Sequence, residues 1–209
     1  MPRTARLVIP NLPYHITHRG NNREQIFYYD TEYQTYLTSL KQHSRAHSLT
    51  LLDYCLMPNH IHLIAVPKTK DALAQSLKLV HSGYAQFFNR RHQRCGHLWG
   101  DRFFACPLDA AHLVVAMRYV ERNPVRAGLV GLPWDYTWSS AAAHLGRGDF
   151  FGLLDLASWQ KHWTPQFWRK YLLEGEDEKQ IELLRHCTLS SNPFGSKDFI
   201  EQYKALKER

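Results

Sequence analysis

Two histidines stand two residues apart in the stretch MPNHIHLIAVP, residues 57–67. Pro58-Asn59 reads as a turn and Pro67 as a stop. The apolar, partly β-branched run between them predicts a short, mostly buried strand over 60–66. On a strand, residues two apart share a face, with Cα atoms roughly 6.5–7 Å apart. His60 and His62 can therefore converge on one ion, while Ile61 faces the opposite layer. A bare His-x-His is more often a pair of half-buried imidazoles at a sheet edge. A second stretch changes that balance. In AAHLVVAMRYVERNP, Leu113, Ala116, Met117 and Val120 form one apolar helical face, and His112, Tyr119 and Asn123 form a stripe beside it. Judged alone, the tyrosine suits a core rim and the asparagine a helix end. Taken together, two imidazoles and an amide oxygen make three metal ligands with positions left open for phosphate oxygens. Tyr119 brings a hydroxyl near the same phosphate. A phenol, with a pKa of about 10, is a weak nucleophile at neutral pH. A metal that polarises the phosphate compensates. The product is a phosphotyrosine ester, which keeps the energy of the bond and permits rejoining without ATP.

These groups need a scaffold. Residues 1–12 are basic, with Arg3 and Arg6, and read as an extended arm. YHITHRG, 14–20, alternates as a strand does and ends in the turn GNNRE. Asp30-Thr31 opens a helix over 31–46 with Tyr33, Tyr36, Leu37 and Leu40 on one stripe. LTLLDYCLM, 49–57, is a second strand, joined to the histidine strand by a hairpin. A long helix runs from Asp71 to about Arg91. A turn and then a strand follow in 96–108, and Asp109 caps a helix over 110–122 that stops before Asn123-Pro124. The order β-α-β-β-α-β predicts an α+β, ferredoxin-like antiparallel sheet under two helices, its other face available, followed by a catalytic helix. Many nucleic-acid-binding modules share that topology, so fold alone does not settle function. GLPWDYTWSSAAAHLGRGD, 131–149, reads as a packing segment and linker. Three amphipathic helices complete the chain, with a helix-turn-helix around SSNPFG and a small bundle packed on the main domain as the two readings. The expected division is a catalytic domain, 1–147, and a helical C-terminal extension, 148–209.

The chain of 209 residues carries a formal charge of +7, unevenly spread. Residues 1–147 account for +8 and residues 148–209 for −1. A basic first part attracts a polyanion such as nucleic acid. Cys55, Cys95, Cys106 and Cys187 show neither CxxC pairing nor zinc-ribbon spacing, which fits reduced intracellular thiols. No apolar run approaches the ~18–20 residues of a membrane span, and the N-terminus lacks a signal peptide's apolar segment. The expectation is a cytoplasmic, nucleoid-associated protein with no membrane contact.

Four segments in this order, YHITHRGNNREQIF, LMPNHIHLI, GHLWGDRFF and YVERNPVRAG, resemble the REP-associated tyrosine transposases, relatives of the single-tyrosine insertion-sequence transposases. The resemblance covers roughly residues 8–145. It implies that His60 and His62 bind the divalent metal and that Tyr119, five residues before Pro124 of Asn123-Pro124-Val125, is the nucleophile. It also implies that Asn123, four residues after the tyrosine, is the third ligand. The activity it implies is cleavage and joining of single-stranded DNA beside repetitive extragenic palindromic (REP) hairpins. The tyrosine keeps the 5′ phosphate, and Mg²⁺ or Mn²⁺ serves as cofactor. Two imidazoles alone would favour a softer ion such as zinc or nickel. Family members act as dimers or monomers, so the chain is expected to be a monomer or homodimer.

Arg19 and Arg23 flank the Gly-Asn turn, Trp99, Arg102 and Phe103 sit together, and Arg122 and Arg126 bracket the Asn-Pro turn. Arginine beside aromatics suits single strands, where bases stack and phosphates pair, so all seven are candidate DNA contacts. The plain alternative for each is a solvated charge or a core aromatic. Two other functions fit part of the pattern. A rolling-circle replication initiator or relaxase shares the metal strand but usually carries further tyrosines or a lysine on the catalytic helix. A non-catalytic hairpin-binding module would have no chemical need for the ligands and tyrosine together. Leu63, Ile64 and Ala65 exclude a His-x-His-x-Asp-His metallohydrolase.

Overall fold

The computed structural model describes residues 6–207, so Arg3 and the start of the basic arm lie outside the described residues. Strands β1 (Tyr14–Arg19), β2 (Leu49–Met57), β3 (His60–Pro67) and β4 (Phe104–Pro107) form one antiparallel sheet in the order β2-β3-β1-β4. That is the expected ferredoxin-like arrangement. Helices α1 (Asp30–Ala46) and α2 (Ala72–Arg91) cover one face. The period of two sorts the side chains. Tyr14, Ile16, Ile61, Leu63 and Ala65 join the core beneath α1 and α2, where Tyr36, Leu37, Leu77 and Tyr84 are buried. Ile61 thus faces away from the two histidines, as the alternation requires.

The other face is not left available. Helix α3 (Ala110–Arg126) lies across it, and the C-terminal helices close around α3. These are α4 (Leu156–Gln160), α5 (Pro165–Leu173) and α6 (Glu178–Ser190), whereas α7 (Lys197–Lys207) reaches the N-terminal segment, where the Tyr203 hydroxyl donates to Leu7 O at 3.0 Å. Trp159, Trp168, Leu172, Ile181, Leu184 and Phe194 share one core with Cys55, Ile64 and Cys106 of the sheet and with Ala116, Met117 and Val120 of α3. The C-terminal segment is therefore a layer of the fold. The first expected helix of this segment is two helices, because Thr164 accepts a hydrogen bond from Phe167 N–H and Pro165 takes the first helical position.

The turn and then strand expected in 96–108 are found, with β4 at its end, and one boundary, the end of α3, differs from the sequence expectation. The stretch 96–103 is irregular, and Gly100 N–H donates to Arg19 O at 2.9 Å where it crosses the end of β1. Helix α3 runs through Pro124 to Arg126 instead of stopping at residue 122. Proline has no N–H to offer the carbonyl four residues earlier. That carbonyl belongs to Val120, and the Asn123 side-chain amide donates to it at 3.4 Å. The asparagine replaces the donor that its neighbour lacks.

A buried polar cluster ties the layers together. The Glu121 carboxylate accepts from His144 Nδ1 at 2.5 Å, from Trp168 Nε1 at 2.7 Å and from the Ser140 hydroxyl at 2.9 Å. Ser140 is also hydrogen-bonded to Asp53, whose pKa burial and the neighbouring Glu121 charge raise well above the usual carboxylate range. One side chain of α3 thus gathers donors from the 139–147 segment and from α5. Replacing it leaves two buried donors, His144 Nδ1 and Trp168 Nε1, without an acceptor, while Ser140 keeps Asp53. Glu121→Ala is expected to cost about 3–5 kcal/mol, read as a lower midpoint in urea denaturation. A midpoint within error of the parent would show that the cluster does not hold the layers.

Candidate active site

A cavity of about 230 Å³ opens between the sheet, α3 and α6. Strand β1 brings His15, Thr17 and Arg19 to it, and β3 brings His60 and His62. The strand register sets Thr17 opposite His62 and Arg19 opposite His60. All five side chains therefore stand on one face. Phe104 closes one edge. Tyr119 comes from α3, and Arg185, Thr188 and Leu189 come from one side of α6.

The two β3 imidazole rings lie 4.8 Å apart, centroid to centroid, and nearly perpendicular. The Tyr119 ring stands edge-on to His62 at 5.6 Å and to His15 at 5.8 Å. Its hydroxyl is 3.5 Å from Arg185 Nε, and the Arg126 guanidinium lies 4.3 Å from its ring centre. His15 Nε2 is 2.9 Å from His62 Nδ1, and His60 Nδ1 is 2.6 Å from Asn59 Oδ1. Burial, with the His60 charge as a smaller cause, pushes the pKa of His15 down to about 3. Burial and then Arg19 push His60 down to about 4. His62 falls well below the usual histidine range, first by burial and then by the nearby His60, His15, Arg126 and Arg19 charges. The site therefore presents neutral imidazoles at neutral pH.

The family model described as "Transposase IS200 like" matches residues 8–123. The chain belongs to the IS200-like transposase family. Among solved structures, it is similar to one described as a REP-associated tyrosine transposase bound to a REP hairpin. That likeness has a TM-score of 0.58 and 20% identity over 71% of this chain and 87% of the other. A transposase candidate from Deinococcus radiodurans R1 aligns with a TM-score of 0.41 and 16% identity, over 57% of this chain and 96% of that one. No curated protein matches the chain. No helix among the described residues is long and apolar enough to cross a membrane.

The transposase's histidine pair has the donor chemistry of a divalent-metal site. Both imidazoles are neutral, both use Nδ1 in a hydrogen bond, and neither Nε2 has a hydrogen-bond partner among the described residues. Such bonds orient the ligating nitrogen. Among the described residues no group of three or more His, Cys, Asp or Glu side chains could hold an ion, so the two imidazoles would be joined by water or substrate oxygens. Asn123 does not line the cavity; it is buried at the end of α3 with its amide on Val120 O.

Of the other expected site residues, only Arg19 reaches the cavity. Arg23 is exposed on the turn beyond β1, and its carbonyl accepts from Asn59 Nδ2. Arg102 is exposed on the irregular stretch that also holds Trp99. Trp99 is a core residue: its ring stacks on His18 at 4.6 Å and its Nε1 donates to His81 O at 2.9 Å. Phe103 packs against the same core with the Arg6 guanidinium 4.1 Å above its ring. Arg122 and Arg126 pair with Glu176 at 2.9 and 2.6 Å. With Arg118, which donates to Gly175 O at 2.8 Å, they form an i, i+4, i+8 stripe that clamps the segment after α5 onto α3.

Sequence reading missed His15, Thr17, Arg185, Thr188 and Leu189. The first two carried a signal, since the period of two that exposes Arg19 also places Thr17 and His15 on its face. Arg185, Thr188 and Leu189 share a helix side at spacings of three and four, but nothing in their sequence says which surface that side meets.

Proposed function

We propose that this IS200-like transposase cuts and rejoins single-stranded DNA beside REP-type hairpins, with Tyr119 as the nucleophile. The observation that carries the reading is the Tyr119 ring, edge-on to His62 in the wall of a cavity that holds both histidines of the His-x-His strand. A DNA phosphate entering there meets the phenol oxygen on one side and imidazoles on the other. His60 and His62 would hold Mn²⁺ or Mg²⁺ through Nε2, and the ion would supply Lewis acidity to the phosphate. Arg185 and Arg126 put positive charge beside the phenol, where negative charge passes between tyrosine and phosphate. Arg19 at the mouth offers a guanidinium to the strand's backbone. Attack by the Tyr119 oxygen forms the phosphotyrosine bond and releases the 3′ oxygen of the upstream fragment. Return attack by that 3′ hydroxyl reverses the step. A single strand is required because a base-paired duplex cannot splay its backbone into a cavity of this size. The REP hairpin held by the solved relative supports the choice of substrate class.

The test is cleavage of an end-labelled REP hairpin with flanking single strand, with and without Mn²⁺. Cutting is expected only with the metal and only on the single-stranded flank. His62→Ala should remove it while hairpin binding changes no more than a few-fold, because a neutral imidazole contributes little to backbone attraction. Undiminished cleavage by that variant, or cleavage in excess chelator, would overturn the metal reading. Binding without any cleavage would point to a hairpin-binding module.

A further inference from the structure

The hydrogen bonds behind His62 run in one direction. Thr188 is on α6, and its hydroxyl donates to Leu184 O at 2.8 Å. A carbonyl only accepts, so the single hydroxyl proton is committed there. His15 Nδ1 lies 2.8 Å from the same hydroxyl oxygen and must therefore carry the proton of that bond. His15 is almost wholly buried and its hydrogen-bond partners, Thr188 and His62, include no carboxylate to offset a charge, so the ring carries one N–H and its Nε2 accepts. Its partner there, at 2.9 Å, is His62 Nδ1, which must then be the donor. A neutral imidazole has one N–H. With it on Nδ1, Nε2 of His62 carries a free lone pair. His15 and Thr188 are almost wholly buried, so water does not compete for these bonds.

We propose that Thr188 and His15 are positioning residues that fix the tautomer of His62, so that α6 sets which of its nitrogens can take a metal ion. The proposal rests on the metal reading above for its consequence, and on the hydrogen bonds alone for its cause. Without the Thr188 hydroxyl, His15 Nδ1 loses its acceptor and the direction of the His15–His62 bond is no longer imposed. His62 then divides between its two N–H forms, and one of them cannot bind an ion at Nε2. The effect of losing such a partner is about 10–100-fold in metal affinity.

The experiment is a long-range ¹H–¹⁵N correlation spectrum of the metal-free, full-length protein labelled at histidine. The His62 signals are assigned by their absence in His62→Asn. Mn²⁺ affinity is measured in parallel by titration calorimetry. Wild type is expected to show the Nδ1–H form alone. Thr188→Val, which keeps the shape and removes the hydroxyl, should show both forms and bind Mn²⁺ about 10–100-fold more weakly. Thr188→Ser should restore the wild-type spectrum and affinity, which a packing role for the threonine methyl would not. An Nε2–H form in wild type would overturn the proposal. So would a Thr188→Val protein with unchanged spectrum and affinity. A wild-type protein in the Nδ1–H form that takes up no Mn²⁺ would support the relay and overturn the metal reading beneath it.

Discussion

Tyr119→Phe is expected to abolish the covalent protein–DNA adduct while leaving the fold and hairpin binding intact. The reason lies in what the hydroxyl touches. Its side-chain neighbour is Arg185 at 3.5 Å, too long for a strong hydrogen bond, so its removal strands no buried partner. The ring keeps its edge contacts with His15 and His62 and its place under Arg126. Stability should change by no more than about 1 kcal/mol. Incubating wild type with Mn²⁺ and a 3′-labelled REP strand should give a denaturation-resistant adduct holding the downstream fragment. The upstream fragment should leave with a free 3′ hydroxyl. The variant should give neither. A normal adduct yield in Tyr119→Phe, or peptide mapping of the DNA to Tyr136, would remove Tyr119 from its role. Cutting without an adduct would instead indicate attack by water.

Mild acid should unfold the protein. Burial is the largest cause holding His15 down to about 3, His18 and His60 to about 4, and His62 and His81 well below the ordinary value. In the unfolded chain each returns to about 6.5. Between those values the unfolded chain binds protons that the native protein does not, so stability falls as pH drops below about 6.5. Each histidine contributes up to about 1.4 kcal/mol per pH unit. Asp53 has the opposite sign, since its raised pKa favours the native state at low pH, but it is one group against five. By about pH 5 the loss reaches several kcal/mol, a large part of the ~5–15 kcal/mol a domain has. Denaturation midpoints measured from neutral pH down to about pH 5 should fall steeply, more so than carboxylates, which titrate near pH 4, could explain. A flat profile would mean that the histidines protonate without leaving the fold.

The sheet was legible because its period is simple. HIHLIAVP alternates between two cores, and that alternation is seen in Ile61, Leu63 and Ala65 on one side and His62 and Ile64 on the other. Tyr119 was legible for the same reason, one helical stripe beside an apolar face. The expected end of α3 failed because a rule about proline describes the backbone alone. It does not see that Asn123 supplies the missing donor to Val120 O. Trp99, Phe103, Arg122 and Arg126 show the complementary limit. Residue type told that they stack or pair, but their partners are His18, Arg6 and Glu176 within the same chain. Contacts between distant elements have no local period, so α6 could be recognised as a helix and not as a wall of the site.

Synthesis order gives that wall a consequence. His15 and Thr188 are partners across 173 residues. The sheet and Tyr119 can begin to fold while a chain is still being made, since domains condense from their N-terminal parts. Until α6 has left the ribosome, however, Ile64, Cys106, Met117 and Val120 lack part of the core they share with Ile181 and Leu184. A chain stalled or clipped before α6 therefore shows an uncovered apolar face, the feature by which chaperones and proteases select their clients. Such fragments carry Tyr119, His60 and His62 but lack the cavity wall that Arg185, Thr188 and Leu189 form.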